Sequence, residues 1–432
     1  MTAPERGSDA VGAPNAVGAL LADPASALAG LGASVPPFTI GRLPRITFGS
    51  GSFSAITGIA AEHGSRVLLV SGGTWFDESP HRAQLEAGLA AAGVDIVGTA
   101  TVAGEPGPAD VEGPLARHRE AGVDVVLGIG GGAVLDTAKA IAGLLRSGTS
   151  LMDHLEGVGR GLPYRGPALP VVAVPTTAGT GSEATRNAVI TERGPQGYKR
   201  SFRDERLVPA DAVVDPDLLA TAPRPLIAAN GLDALTQLLE AYTSQRATPV
   251  TDALARSGLA AVREGLLAWY ADPAGAGAPA ARSQMAYAAL LSGICLANAG
   301  LGAVHGLASP LGAQLPIPHG MACGSVLWQT IDANVTALEE RAPSAPALER
   351  YADAGRILAG LPAGCGSDEA RSALTATLRE WVTRLAVPGL AAFGMGLEHI
   401  AAVVADSPGS SMQTNPVELT DAELSDILER AL

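Results

Sequence analysis

The sequence predicts a two-part chain, an α/β domain built on a parallel sheet followed by an all-helical domain. Three observations carry this. Between about residues 37 and 222, short apolar runs alternate with segments of helical period, and several of the runs end in glycine. That alternation is the pattern of strands covered on both faces by crossover helices. From about 223 to 432 the strand pattern vanishes and a 3.6-residue period takes over. Finally, 47% of the 432 residues are hydrophobic but only 4% are aromatic, so both cores must be assembled from small aliphatic side chains.

Residues 1–36 are rich in Ala, Gly, Pro and Ser without periodicity, and a flexible arm is expected there. They lack the basic-then-apolar pattern of a secretory leader. RVLLVSGG (66–73) reads as a strand, HRAQLEAGLAAAG (81–93) as a helix and VDIVGTATVAG (94–104) as a strand with its exit loop. ADVEGPLARHREAG (109–122) is helical, VDVVLGIGGG (123–132) is a strand feeding a glycine turn, and AVLDTAKAIAGLL (133–145) is the helix behind it. LPVVAVPTTAGTGSE (169–183) is a buried strand with a threonine-glycine loop. Beyond 223, the segments 226–244, 251–271 and 370–386 are all helical in period. The most apolar stretch, 286–303, is interrupted by Asn298, Gly293, Gly300 and Gly302, which predicts a buried helix rather than a membrane span. Ligands of such proteins sit at the carboxyl ends of the strands, here facing the cleft between the two parts.

A net charge of −14 excludes a nucleic-acid partner, whose phosphates need a basic face. Cys295, Cys323 and Cys365 show no metal or redox spacing, which excludes a disulfide scaffold and fits a reducing cytoplasm. Only two residues are lysine, Lys139 and Lys199, against 27 arginines. In so arginine-biased a chain, a retained lysine suggests a task for a compact ammonium.

Three constellations carry chemistry. GIGGGAVLDTAK (128–139) leaves a strand and opens a helix. Its glycines let backbone approach a pyrophosphate, and the helix start offers free N–H groups. A plain strand-to-helix turn also uses such glycines, and the pattern is not the GxGxxG fingerprint. PTTAGTGSEAT (175–185) gathers the hydroxyls of Thr176, Thr177, Thr180 and Ser182 around Gly179 and Gly181, suited to ribose and phosphate or, equally, to a capped turn. In the helical part, Asp233 and Gln237 share one helix face, and His305 and His319 follow fourteen residues apart. Two imidazoles and a carboxylate can hold a divalent metal, or can be satisfied core residues.

With FGSGSF (48–53), LVPADAVVDPDL (207–218), NGLDALTQ (230–237), GAVHGLASPLG (302–312) and IPHGMA (317–322) added, the chain from Phe38 onward resembles the iron-containing (group III) alcohol dehydrogenases, a family that includes the maleylacetate reductases. The resemblance implies the dehydroquinate-synthase-like two-domain fold, with a dinucleotide-binding domain over 37–222 and a helical metal and substrate domain over 223–432. It implies hydride transfer between NAD(P)H and a small carbonyl compound in the cleft, a homodimer, and a cytoplasmic protein with no membrane association. Carried over residue by residue, it gives the cofactor Gly130, Gly131 and Gly132 with Asp136 beside them, and the rarity of lysine adds Lys139 near the ligand. Thr176, Thr177, Thr180, Ser182, Asn187 and Lys199 complete the dinucleotide contacts. Catalysis falls to Asp233, His305 and His319, and Fe²⁺ or Zn²⁺ to Asp233, Gln237, His305 and His319.

The chain departs from that pattern in four places. A serine of the glycine turn is Ala133, a histidine ligand is Gln237, and a proton-relaying histidine is Ser309. An amide oxygen is neutral and a weaker ligand than imidazole for these metals. Gly72 stands where NAD-preferring members end the first strand with an aspartate, and removing that carboxylate removes repulsion of a 2′-phosphate, which favours NADPH. Arg82 is the nearest candidate to receive the phosphate. Two versions of the reductase remain, metal-assisted or with His305 and His319 donating to the alkoxide. The alternatives are a nucleotide-binding accessory protein without turnover and a dehydroquinate-synthase-like cyclase.

Overall fold

The computed structural model describes residues 35–194 and 197–432, and Phe38–Leu432 forms one compact unit. Through residue 34, the arm expected over 1–36 lies outside the described residues.

Six strands form one parallel sheet: β1 (Arg45–Phe48), β2 (Arg66–Gly72), β3 (Asp95–Val102), β4 (Val125–Gly130), β5 (Val171–Pro175) and β8 (Asp211–Val214), in the order β1-β8-β5-β4-β2-β3. Every residue of β4 and β5 is buried, as unbroken apolar runs require when helices cover both faces. The two-residue period of β2 is visible in its packing. Val67 and Leu69 enter one core with α1 (Ile56–His63) and α3 (Pro80–Ala91), the short α2 (Gly73–Glu78) lying between them in sequence. Leu68 and Val70 enter the other core, with α4 (Pro108–His118) and α5 (Gly132–Leu144). The chain reverses its direction of travel across the sheet between β2 and β4, which opens a crevice at their carboxyl ends.

The sequence pattern does not reveal β1, β8 or an antiparallel hairpin, β6 (Asn187–Glu192) with β7 (Tyr198–Arg203). β1 and β8 have four residues each, too few for a period to register. The hairpin is rich in charge and reads as loop, yet β6 packs on α5 and β7 packs on a helix of the second part.

Past the short α6 (Leu151–His154) and the sheet, the chain is helical from Arg224 on: α7 (Arg224–Thr243), α8 (Pro249–Ala271), α9 (Ala278–Ala299), α10 (Ala303–Gln314), α11 (His319–Arg341), α12 (Pro346–Ala359), α13 (Ser367–Arg384), α14 (Leu397–Asp406) and α15 (Asp421–Arg430). α7 runs through the middle, buried almost without interruption from Ile227 to Thr243, so each polar group it carries needs a partner. The apolar stretch 286–303 is not one helix, because the chain turns by 102° between α9 and α10 after Gly300 takes a left-handed φ of 81°. Among the described residues no single helix is long and apolar enough to cross a membrane.

Candidate active site

β4 and β5 end side by side, Gly130 opposite Pro175, and the Thr176 N–H donates to the Gly130 carbonyl at 2.9 Å. The glycine turn and the threonine-glycine loop are thereby locked together. A Cβ on Gly132 would lie 2.6 Å from the Thr180 hydroxyl, so the close approach of the loops requires glycine there. The second loop also rests on the helical part. Gly181, with φ of 60°, abuts Gly293 of α9 so closely that a Cβ on Gly293 would come 2.1 Å from the Gly181 carbonyl oxygen. This glycine pair sets the spacing of the cleft.

The cleft holds a cavity of about 440 Å³. Gly132, Asp136, Thr180, Ser182, Asn187, Lys199, Gln237, His305 and His319 line it. Gly72, Gly130, Gly131, Thr176 and Thr177 do not; they sit at or just past the carboxyl ends of β2, β4 and β5. Lys139 departs furthest from expectation. Its side chain is fully buried, and its ammonium is held by Asp136 at 2.9 Å, the Thr185 hydroxyl at 2.9 Å and the Ser182 carbonyl at 3.0 Å. It ties the two loops together instead of meeting a ligand. Burial holds its pKa below the usual lysine value despite Asp136. Asp136 is likewise committed, accepting from Ser182 Oγ at 2.5 Å and the Val189 N–H at 3.0 Å. Lys199 does reach the cavity wall, paired at 2.9 Å with Glu105, a residue that no sequence motif singles out. Burial raises the Glu105 carboxyl, but Lys199 and His319 outweigh it and leave it below its ordinary pKa. Arg82 is held by Glu86 at 2.6 Å and Asp77 at 3.0 Å.

On the helical side, Asp233, Gln237 and Glu240 form one polar row on α7 at i, i+4 and i+7. Glu240 has two tasks. Its Oε1 accepts from the Val304 N–H at 2.7 Å, satisfying the start of α10, which has no side-chain cap of its own. Its Oε2 takes the His305 Nδ1–H at 2.5 Å and so fixes which ring nitrogen is free. His305 then points Nε2 at Asp233 Oδ1, 3.2 Å away. Burial opposes charge on His305, but Cys323, Glu240 and Asp233 raise its pKa well above the ordinary value. For Asp233, burial is outweighed by the two imidazoles and the carboxyl stays below its ordinary pKa. His319, the first residue of α11, places Nε2 3.8 Å from Asp233 Oδ1 and leaves its Nδ1 buried without a partner.

Two side chains are placed differently from the sequence reading. Gln237, expected to offer an amide oxygen to metal, turns its Nε2 to Asp233 at 3.1 Å while its oxygen accepts from Ser292 at 2.6 Å, because an amide oxygen against a carboxylate would be repelled. Cys323, set aside for lacking metal spacing, lies one turn after His319 on the same helix face, with Sγ 3.8 Å from His305 Nε2. Ligand atoms of Asp233, His305, His319 and Cys323 all fall within 4.8 Å of one another. A carboxylate, two imidazoles and a thiol brought within 4.8 Å of one another are a donor set that fits a divalent metal.

Comparison with known proteins identifies the family. The family model described as iron-containing alcohol dehydrogenase matches residues 44–216, and that of the C-terminal part of the Fe-containing alcohol dehydrogenase family matches 227–432. The probable alcohol dehydrogenase EutG of Escherichia coli K12 is 35% identical over 309 residues, 71% of this chain and 74% of its own length. The NAD-dependent methanol dehydrogenase of Bacillus methanolicus is 29% identical over 90% of this chain and 98% of its own. The solved structure of a 1,3-propanediol oxidoreductase superposes with a TM-score of 0.82 at 27% identity, covering 92% of this chain and all of that one.

Proposed function

The chain belongs to the iron-containing alcohol dehydrogenase family, and from that premise we propose that it reduces a small aldehyde or ketone to the alcohol with a nicotinamide dinucleotide, in the cleft between sheet and helices. It is an NAD(P)-dependent alcohol dehydrogenase in type. The observation that carries the proposal is that one cavity of about 440 Å³ is walled on one side by Gly132, Thr180 and Lys199 and on the other by His305 and His319. When bound, the dinucleotide supplies hydride, and a divalent metal held by Asp233, His305 and His319 withdraws electron density from the carbonyl oxygen.

The chain's own residues do the rest. The start of α5 offers the N–H groups of Gly132 and Ala133 on the cavity wall, and the Thr180 hydroxyl adds a partner, for a phosphate. Lys199, steadied by Glu105, presents an ammonium from the hairpin. Glu240 keeps a proton on His305 Nδ1 and leaves Nε2 as the atom that would hold the metal. Asn187, beside these groups on the cavity wall, is placed to orient the nicotinamide amide or the substrate. The absence of a carboxylate at Gly72 supports NADPH over NADH. A homodimer and a cytoplasmic location belong to the same proposal.

The test is oxidation of NADPH and NADH by the purified chain over short aldehydes, ketones and oxoacids. His305→Ala is expected to lower kcat/KM by at least about 10²-fold, since it removes one of the groups that would hold the metal at the developing alkoxide. Turnover unchanged in that variant would end the assignment.

A further inference from the structure

We propose that Cys323 is the fourth protein ligand of the metal site in this chain, the position the sequence alone gives to Gln237; the inference rests on the functional reading above and refines it. The donors come from three helices: Asp233 from α7, His305 from α10, and His319 with Cys323 from consecutive turns of α11. Cys323 Sγ stands nearly equidistant from the other three, 3.8 Å from His305 Nε2, 3.9 Å from Asp233 Oδ1 and 4.0 Å from His319 Nε2. With zinc bonds of about 2.0–2.3 Å, neighbouring ligands in a tetrahedron lie roughly 3.3–3.6 Å apart. The four donors, all within 4.8 Å of one another, therefore surround a space that one ion would fill once the side chains draw in, and the carbonyl oxygen would enter as a fifth ligand.

Gln237 is the competitor, and its amide is already spent. Its nitrogen donates to Asp233 and its oxygen accepts from Ser292, so it is a positioning residue that fixes the Asp233 carboxylate. Cys295 serves as an internal contrast. It is equally buried, but its Sγ faces only the Thr251 carbonyl at 3.6 Å and has no part in the cluster, as expected of a cysteine used for packing. On coordination the Cys323 thiol gives its proton to solvent and binds as thiolate. One thiolate, two imidazoles and one carboxylate form a softer set than the all-oxygen-and-nitrogen alternative, and they select Zn²⁺ over Fe²⁺.

The experiment uses the full chain, stripped of metal and reloaded with one equivalent of Zn²⁺ or Co²⁺. Zinc-edge X-ray absorption is expected to find one sulfur at about 2.3 Å with the remaining scatterers at about 2.0–2.2 Å. The cobalt form is expected to show thiolate-to-metal charge-transfer absorption in the near ultraviolet that Cys323→Ser loses. A zinc shell of nitrogen and oxygen only, or a charge-transfer band that persists in Cys323→Ser, overturns the proposal and returns the position to Gln237. If the variant does not fold, the wild-type absorption edge decides alone. Coenzyme oxidation on the same samples keeps the two readings apart. Turnover with a sulfur-free shell removes Cys323 from the metal but leaves the reductase, whereas a sulfur-containing shell without turnover does the reverse.

Discussion

Glu240 and Glu183 are buried carboxyls with opposite fates. Glu240 faces the His305 ring and the start of α10, and its place in the site follows from those contacts. Glu240→Gln keeps the shape but replaces a charged acceptor with a neutral one, and removing such a partner typically weakens metal affinity about 10–100-fold. Titration of the stripped protein with Zn²⁺ against a competing chelator checks this. Glu183, on the threonine-glycine loop, is only 2% exposed, and burial pushes its carboxyl up to about 7 in spite of Lys139. Its folded pKa lies above its unfolded one, so the folded state holds the extra proton. The stability this gives is complete below the unfolded value and is lost as pH rises through about 7. Glu183→Gln never charges. The variant is therefore expected to match wild type at about pH 3.5, below the unfolded value, and to exceed it at pH 8 by roughly 3 kcal/mol, given about 1.4 kcal/mol per pKa unit. Urea unfolding at the two pH values reads the difference, and a gap that does not widen with pH would dismiss the account.

The elements that were legible are those with long, consistent periods. β2, β4, β5 and the helices α3, α5, α7 and α8 fall within a few residues of where hydrophobic spacing puts them. α4 ends at His118, short of the expected 122, where the chain turns before β4. The β6–β7 hairpin escaped because its strands are half exposed and carry Lys199, Arg200 and Arg203. It nonetheless supplies Asn187 and Lys199 to the cavity. The end of β2 carries a test at this scale. A Cβ on Gly72 would meet Val134 Cγ2 at 2.9 Å, so an aspartate there needs room made for it. Gly72→Asp paired with Val134→Ala is expected to shift the NADH to NADPH ratio of kcat/KM by at least about tenfold toward NADH, because a carboxylate repels the 2′-phosphate. An unchanged ratio would place the adenosine ribose elsewhere.

Over the whole molecule, two cores flank the sheet and a third fills the helical part. The metal-ligand candidates span three helices of that third core, so an ion bound there cross-links the fold as well as the site. Zn²⁺ at about a hundred times its dissociation constant is expected to stabilise the chain by about 2.7 kcal/mol, and a chelator to undo it, both visible as a shift in Tm. No shift would mean that the ion does not prefer the folded state. The sequence by itself determined the strand-then-helix order and the two glycine-bearing loops, because hydrophobic period and local turn chemistry are properties of neighbours along the chain, whereas it pointed to Asp233, His305 and His319 through the family motifs that carry them. Only the tertiary structure decided that Lys139 is a buried tie, that Glu105 holds Lys199, that Glu240 stands behind His305, and that Cys323 and not the Gln237 oxygen faces the imidazoles. Each of these depends on the distance between side chains from different elements, and packing alone sets it.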